Sequence, residues 1–368
     1  MSKVKKIIKA IGIVLLSILI LCVLFIIVSL INHKVRSAKE WALLEEKGYI
    51  NLVEAQDYRL NAPYWGNPEG KHTIVCLSGM GIDNCSLTMR KITKDVEDDN
   101  LIICLDRAGY GLSDDTKEDQ TCERIVENYR TALKNGGFEG PYIIMAHSMA
   151  GVYTTYWESV YPDEIEGILF LDSTPVLEGN LFAEDENQKM GKITEFLYTL
   201  SCDFGLDRFF PNVYWSVLPE TYTEEEQTIH TALYANSSQT HALISETNNV
   251  NDACRTAYDN LKTTDIPKTY IGSSYNFETL DDLKQFIEVY NSDMRRQGKP
   301  EDNKTDEQYE NMLPGFQDFW QANYVPYIES LGNCEIIAIP SGHLTYQNCP
   351  DEVGEVLSDL IEKVEKGE

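Results

Sequence analysis

The chain has 368 residues, of which 43% are apolar and 10% aromatic, so its composition is that of a globular protein and not of a disordered or collagen-like one. Its 59 acidic residues outnumber its 31 basic ones, and a net charge of −28 argues against the basic surface that nucleic-acid binding requires. The charge is uneven, because seven of the basic residues and only one of the acidic ones lie within the first 40 positions.

Residues 11–31 form an apolar run that predicts a transmembrane helix. Only Gly12, Ser17 and Ser29 interrupt its large side chains. At the rise of an α-helix the run is roughly 31 Å long, which matches the hydrocarbon core of a bilayer. A cleaved signal peptide, the alternative, has a shorter apolar region before a small-residue cleavage site. The lysines of residues 1–10 favour a single-pass protein of the cell membrane, with its N-terminus inside and its larger part outside.

Beyond a juxtamembrane segment at residues 32–53, short apolar runs alternate with helical patterns. Runs bounded by Gly and Pro are typical of buried parallel strands, and six follow in order: His72–Ser78, Leu101–Leu105, Tyr142–Ala146, Ile168–Leu171, Thr269–Gly272 and Glu335–Ile339. This alternation predicts the α/β class, with a mostly parallel sheet flanked by helices. The long interval after the fourth strand predicts an inserted helical cap at residues 175–265, which divides the core into residues 54–174 and 266–368.

The strongest chemical signal is Ser148, which stands between a predicted buried strand and a predicted helix. A serine in a sharp strand-to-helix turn needs small residues on both sides, and Ala146, Ala150 and Gly151 supply them. Such a turn presents the hydroxyl at the N-terminus of a helix, where the local field favours a developing anion. The pattern therefore predicts that Ser148 is a nucleophile.

This turn resembles the nucleophile elbow of the α/β-hydrolase family, with alanines where that family usually has glycines. The string Ser78-Gly79-Met80-Gly81 resembles the family's oxyanion loop, with Ser78 in place of the usual histidine. The resemblance implies that the backbone N–H groups of Met80 and Met149 hold a tetrahedral oxyanion. The string from Asp106 to Ser113, which reads DRAGYGLS, resembles a further signature of the family and receives a structural role.

His343 is the predicted base, because it follows the last predicted strand and precedes the terminal helix, where the family places its catalytic histidine. The other five histidines fit a base less well: His33 flanks the membrane run, His72 begins a strand, His147 adjoins the serine and should point elsewhere, and His230 and His241 lie in the inserted helices.

The orienting acid has two candidates. Many relatives carry an aspartate in the loop after the strand that ends at Gly272, but this chain has none at the usual place. Asp172 ends an earlier strand, from which some members take their acid, and we predict that it completes the triad. Glu278 is the alternative, followed by Asp281 and Asp282, which also fit the start of a helix.

The resemblance implies a serine hydrolase that cleaves an ester or related acyl bond of a small molecule and that needs no metal or organic cofactor. A proline aminopeptidase-like peptidase and a non-catalytic binding protein on the same fold are alternatives, and hydrolysis of epoxides or haloalkanes would require an aspartate where Ser148 stands. Seven cap aromatics could line an apolar pocket or form the core of the cap: Phe182, Phe196, Tyr198, Phe209, Phe210, Tyr214 and Trp215. The oligomeric state is left open.

Overall fold

A computed structural model describes residues 3–178, 191–211, 217–237 and 240–368. Its central sheet has seven strands in the spatial order β3-β5-β4-β6-β7-β8-β9, in which β3 is antiparallel to β5 and the other neighbours are parallel. A separate hairpin pairs β1 with β2. The strands are β1 Leu52–Glu54, β2 Arg59–Asn61, β3 Tyr64–Gly66, β4 Thr73–Leu77, β5 Leu101–Cys104, β6 Tyr142–His147, β7 Ile165–Leu171, β8 Thr264–Gly272 and β9 Gly332–Ala338.

Helices fill both faces of the sheet and the segments inserted between strands. In chain order they are α1 Lys3–Glu46, α2 Cys85–Thr93, α3 Cys122–Asn135, α4 Ala150–Val160, α5 Lys192–Asp203, α6 Glu224–Tyr234, α7 His241–Asn248, α8 Val250–Asn260, α9 Leu280–Arg296, α10 Asp306–Asn323, α11 Val325–Ser330, α12 Thr345–Asn348 and α13 Pro350–Lys366. The α/β class and the mostly parallel sheet predicted from the sequence are confirmed.

The two faces of the sheet bury alternate side chains of the same strands. Val75 and Ile144 pack with α3 and α4 on one face, whereas Ile74 and Ile143 pack with α2 and α13 on the other. These strands are buried on both faces, and for that reason they read as continuous apolar runs in the sequence. Strands β1, β2 and β3 have no such run, and the sequence gives no signal for them.

Several elements extend beyond their predicted limits, among them β7, which begins at Ile165, and β9, which begins at Gly332. Strand β8 begins at Thr264 and not at Thr269, because a register shift between Thr264 and Lys268 accommodates Pro267 within it. Helix α1 continues without a break from the apolar run to Glu46. Among the described residues, only this helix is long and apolar enough to cross a membrane, and an 18-residue window within it has a mean hydropathy of 3.5.

Helices α5, α6, α7 and α8 lie in the segment predicted as a cap. Of these, α8 packs against α3 and α4, where its Ala253 and Ala257 join the core beside the sheet. Helix α6 instead packs against α1 and α2. The predicted cap segment therefore contributes one helix to the core layer and others to a contact with the N-terminal helix.

Candidate active site

Ser148 occupies a strained turn between β6 and α4. Its φ of 52° is left-handed, a conformation that costs a non-glycine residue on the order of 1–3 kcal/mol. Backbone hydrogen bonds hold the turn: the N–H of Ser148 donates to the carbonyl of Leu171 at 3.2 Å, and its own carbonyl accepts from Gly151 and Thr174 at 2.9 and 3.0 Å. These bonds fix the serine at the carboxyl edge of the sheet.

Gly79 lets the predicted oxyanion loop approach this turn. A Cβ at Gly79 would lie 2.6 Å from the Nδ1 of His147 and 2.8 Å from the Cβ of Ser148. No real Cβ is accommodated at those distances without moving the nucleophile. The loop and the elbow therefore meet only because this position is glycine.

The structure brings His343 to Ser148. The Nε2 atom of His343 lies 2.9 Å from the Oγ of Ser148, and the imidazole is about half exposed, with 52% of its side-chain surface open to solvent. A base at this distance can take the hydroxyl proton directly. The imidazole is therefore accessible to solvent.

Asp172 lies on the other side of the imidazole and is buried. Its Oδ2 is 2.8 Å from the Nδ1 of His343, and its φ of 42° is also left-handed. Burial acts to raise the pKa of Asp172, but hydrogen bonds from His343, Ser274 and Ser273 outweigh it and lower the pKa below its ordinary value. The carboxylate is therefore ionised and accepts the Nδ1–H, which leaves Nε2 free to accept the proton of the serine.

The loop after β8 supports Asp172 and does not supply the acid itself. The N–H groups of Ser273 and Ser274 donate to Oδ1 of Asp172 at 2.9 and 3.1 Å, and the hydroxyl of Ser274 donates to Oδ2 at 2.5 Å. The alternative acid, Glu278, is exposed on the surface. Asp282 caps α9 through Thr279, as the helix-start interpretation predicts.

The DRAGYGLS string anchors the predicted oxyanion loop. The guanidinium of Arg107 donates to the carbonyls of Ser78 and Gly79 at 2.6 and 2.9 Å. The N–H of Gly81 donates to the hydroxyl of Tyr110 at 3.2 Å. Among the described residues, no backbone carbonyl accepts from the N–H of Met80 or of Met149.

His147 has a positioning contact that the sequence analysis missed. Its ring is buried, and its Nε2 donates to the carbonyl of His343 at 2.8 Å. Burial and the nearby His343 lower the pKa of His147 to about 3, so the ring is neutral. The only signal in the sequence was its place at the end of a buried strand, and that place predicts burial but no partner.

Glu246 of α7 is a second residue that no motif indicated. Its carboxylate pairs with Arg107 at 3.1 Å and accepts from the hydroxyls of Tyr110 and Tyr153 at 2.6 and 2.9 Å. Both charged groups are 2% exposed. This buried network connects an inserted helix to the residue that holds the oxyanion loop.

The predicted aromatic lining of the cap has a mixed outcome. Phe196, Phe209 and Phe210 are exposed, so neither a closed pocket lining nor a cap core describes them. Tyr198 is half-buried, and the other three, Phe182, Tyr214 and Trp215, lie outside the described residues. Over the residues described, no cluster of three or more His, Cys, Asp or Glu side chains could hold a metal ion.

Solved structures with this fold include several haloalkane dehalogenases. A loop variant of the haloalkane dehalogenase DbeA from Bradyrhizobium elkanii has a TM-score of 0.53 and 14% identity over 86% of this chain and 97% of that one. Cfl2 from Burkholderia cenocepacia has a TM-score of 0.55 and 15% identity, and the match covers 84% of this chain and 94% of that one. At such identities the likeness shows the fold alone.

Two curated proteins of Bacillus subtilis (strain 168) are similar in sequence. The uncharacterized protein YqjL is 31% identical over 100 residues, which are 27% of this chain and 39% of YqjL. The uncharacterized protein YbdG is 30% identical over 246 residues, which are 64% of this chain and 73% of YbdG. No protein-family model matches the chain. The chain belongs to the family of YbdG, and its fold is that of the α/β-hydrolases.

Proposed function

We propose that this protein is a serine hydrolase that cleaves an ester or related acyl bond through Ser148, His343 and Asp172. The observation that carries the proposal is the continuous hydrogen-bonded chain from the Oγ of Ser148 through both imidazole nitrogens of His343 to Asp172. Nucleophile, base and orienting acid in this geometry are the arrangement that activates a serine.

The reaction follows from these contacts. Ser148 attacks the acyl carbonyl while His343 takes its proton, and the carbonyl oxygen becomes an oxyanion within reach of the N–H groups of Met80 and Met149. His343 then gives the proton to the leaving group, and the bond to that group breaks to leave an acyl-enzyme. Water, activated by the same imidazole, releases the acid and restores the hydroxyl of Ser148.

The other reactions considered for this fold fit the site less well. Hydrolysis of haloalkanes or epoxides needs a carboxylate nucleophile at the elbow, where this chain has Ser148. A proline aminopeptidase-like activity would use the same triad, so only the substrate distinguishes it from an esterase. Three hydrogen-bond donors keep Asp172 ionised beside the Nδ1 of His343. A binding protein without catalysis would not need this arrangement.

A panel of p-nitrophenyl esters with graded acyl chains, alongside a prolyl amide, tests the proposed activity on the full-length protein in detergent. We expect ester hydrolysis that Ser148→Ala lowers by at least about 10³-fold, because removal of a triad member leaves little beyond binding and the oxyanion hole. Turnover of the amide alone would favour the peptidase. Absence of any turnover, or turnover that Ser148→Ala does not change, would contradict the proposal.

We also propose that α1 anchors the protein to the cell membrane through residues 11–31, with the N-terminus inside and the site outside. Support comes from the length of the run and from the exposure of its side chains as far as Phe25. Sodium carbonate should leave the full-length protein in the membrane pellet, and protease added to intact cells should digest the larger part of the chain. Release by carbonate would contradict the anchor, and protection from protease would contradict its orientation.

A further inference from the structure

One face of α1 packs against the segment that follows α5. The hydroxyl of Ser29 donates to the carbonyl of Phe204 at 2.7 Å. His33 is buried so closely against Gly205 that a Cβ at Gly205 would lie 2.5 Å from the Cβ of His33. The N-terminal helix and this part of the cap segment are therefore in direct contact at the level of the apolar run and just beyond it.

Arg208 clamps the same segment to the helix. Its guanidinium makes two hydrogen bonds of 2.7 Å to the carboxylate of Glu40, and its Nε donates to the Nδ1 of His33 at 2.9 Å. The side chain of Arg208 is 2% exposed. A bidentate arginine–carboxylate pair has a specific geometry, so the segment is held at a fixed height along α1.

That height brings the cap segment to the apolar run itself. The rings of Phe25 and Phe209 lie 5.4 Å apart. Phe25 is six residues before the end of residues 11–31, which is roughly 9 Å along a helix axis. If residues 11–31 span a bilayer, Phe209 lies at the depth of the acyl chains.

Large apolar side chains are also exposed in the stretches of chain that flank Phe209. Phe210 follows Phe209 and is 63% exposed, and α5 presents Ile193, Phe196 and Leu197 at the spacing of one helical face, of which Ile193 is 78% exposed. We call these five residues the apolar cap surface. Five large apolar side chains exposed within residues 193–210, in a chain with 59 acidic side chains, indicate a surface that another apolar phase covers.

We propose that the apolar cap surface enters the lipid leaflet that surrounds residues 25–31, so that the acyl chains of phospholipids cover it. The proposal rests on the proposed membrane anchor. Lipid is favoured as the occupant because Phe209, one of the five residues, adjoins Phe25 of the run that the bilayer itself would cover. The part of the protein outside the membrane would then contact the lipid surface directly, and α1 would not be its sole attachment.

Lipid photocrosslinking of the full-length protein in phosphatidylcholine vesicles tests this proposal. Phe210→p-benzoylphenylalanine and, independently, Ile193→p-benzoylphenylalanine place the probe on the apolar cap surface. Leu19→p-benzoylphenylalanine reports the anchor, because Leu19 is exposed within the run. Irradiation is followed by mass spectrometry of lipid adducts at each position.

Tyr64→p-benzoylphenylalanine is the matched control. Tyr64 is 48% exposed and lies near the end of α1 that is opposite to the apolar run. This position follows from its neighbour Trp65, which stacks on Arg90. The guanidinium of Arg90 donates to the carbonyl of Gly48, just after the C-terminus of α1. Transfer of an aromatic side chain from water into hydrocarbon shifts its distribution between the two phases by about tenfold or more. We therefore expect about tenfold more lipid adduct at Phe210 or Ile193 than at Tyr64.

The outcomes separate the two proposals. Lipid adducts at Leu19 and, about tenfold above the level at Tyr64, on the apolar cap surface support both. Adducts at Leu19 with none on the apolar cap surface overturn this inference and leave the anchor standing. Crosslinks from Phe210 to a second copy of the chain, or equal adducts at Tyr64, also overturn it. A lack of adducts at every position overturns the anchor and this inference together.

Discussion

The catalytic site and the contact between α1 and the cap segment are held in different ways. Around Ser148, loops that follow adjacent parallel strands exchange hydrogen bonds, so each reacting group has two or more partners. The contact of α1 with the segment after α5 instead depends on one arginine bound to Glu40, one serine, one buried histidine and two phenylalanine rings that stay about half exposed. The sheet can therefore impose the geometry of the site from within, whereas the segment after α5 is held in part by α1.

Substitution of the orienting acid should have the largest effect and should be confined to the site. Asp172→Asn keeps the shape but permits the wrong imidazole tautomer, so we expect a loss of about 10⁴-fold in kcat/KM. Glu278→Gln removes one exposed charge and should leave kcat/KM nearly unchanged. Kinetics on the best ester of the panel measure both variants, and a crippling Glu278→Gln with a mild Asp172→Asn would move the acid to the loop after β8.

Removal of the base tests the same site from its other side. His343→Ala should lower kcat/KM by at least about 10³-fold, because the triad members act as a unit. His241→Ala, a histidine of α7 away from the triad, is the control and should keep most of the activity. If His343→Ala retained more than about a tenth of the activity, another group would be the base.

Glu246→Gln breaks the buried ion pair between α7 and Arg107, the residue that holds the predicted oxyanion loop. It leaves the charge of Arg107 without its partner, and loss of one member of a buried pair typically costs about 3–5 kcal/mol in the free energy of unfolding. Urea denaturation followed by fluorescence measures this loss. The double variant Arg107→Met with Glu246→Leu should recover stability but not activity, because the carbonyls of Ser78 and Gly79 then have no guanidinium donor. Full activity in the double variant would contradict the role of Arg107.

Glu40→Gln should loosen the cap segment without affecting the sheet. Hydrogen bonds to charged groups contribute about 1.5–3 kcal/mol, so amide hydrogens of α5 and of the segment after it should exchange roughly 10- to 100-fold faster. Hydrogen-exchange mass spectrometry in detergent measures the change, and peptides from β6 and β7 should not respond. Arg36→Gln is the control, since Arg36 is half-exposed and lies 3.9 Å from Glu40. Equal exchange in both variants would show that the clamp does not hold the segment.

The last effect concerns pH and two buried carboxyls near the loop after β5. Burial raises the pKa of Asp106 to about 8 and that of Asp83 to about 6. Because these folded-state values exceed the unfolded one, the folded protein binds more protons between about pH 4 and pH 8. The contribution of these groups to the free energy of unfolding therefore falls as pH rises through that window.

Asp106→Asn should reduce the decrease of the free energy of unfolding with pH by up to about 1.4 kcal/mol per pH unit. Urea denaturation at a series of pH values measures the slope, and Asp163→Asn, at an exposed site beside α4, is the control. A slope that Asp106→Asn does not change would contradict burial of an ionisable group at this position.

The sequence predicted the parts of the site that depend on local geometry. Small residues around Ser148 and a histidine after the last strand are short-range signals, and the structure brings the two side chains to 2.9 Å. The sequence favoured Asp172 over Glu278 only because Asp172 stands at the end of a predicted strand. The serines that hold Asp172 lie about 100 residues further along the chain, so no local signal indicated them.

Long-range partners explain what the sequence did not predict. Arg208 and Glu40 are 168 positions apart, and Arg107 and Glu246 are 139 apart, and neither pair belongs to a motif. The length of α1 was missed because the polar residues after Ile31 read as the end of an apolar run, although they continue the helix and provide the face that packs on the cap segment. Hydrophobic periodicity indicates elements but not which distant charges they bring together.

Labelling by a fluorophosphonate probe tests the central claim most directly, because the probe reacts with an activated serine and not with a pocket alone. In the full-length protein we expect one covalent adduct, assigned to Ser148 by peptide mass spectrometry, that is absent in Ser148→Ala and forms far more slowly in His343→Ala. No adduct in the unaltered protein, or an adduct that persists in Ser148→Ala, would contradict the account.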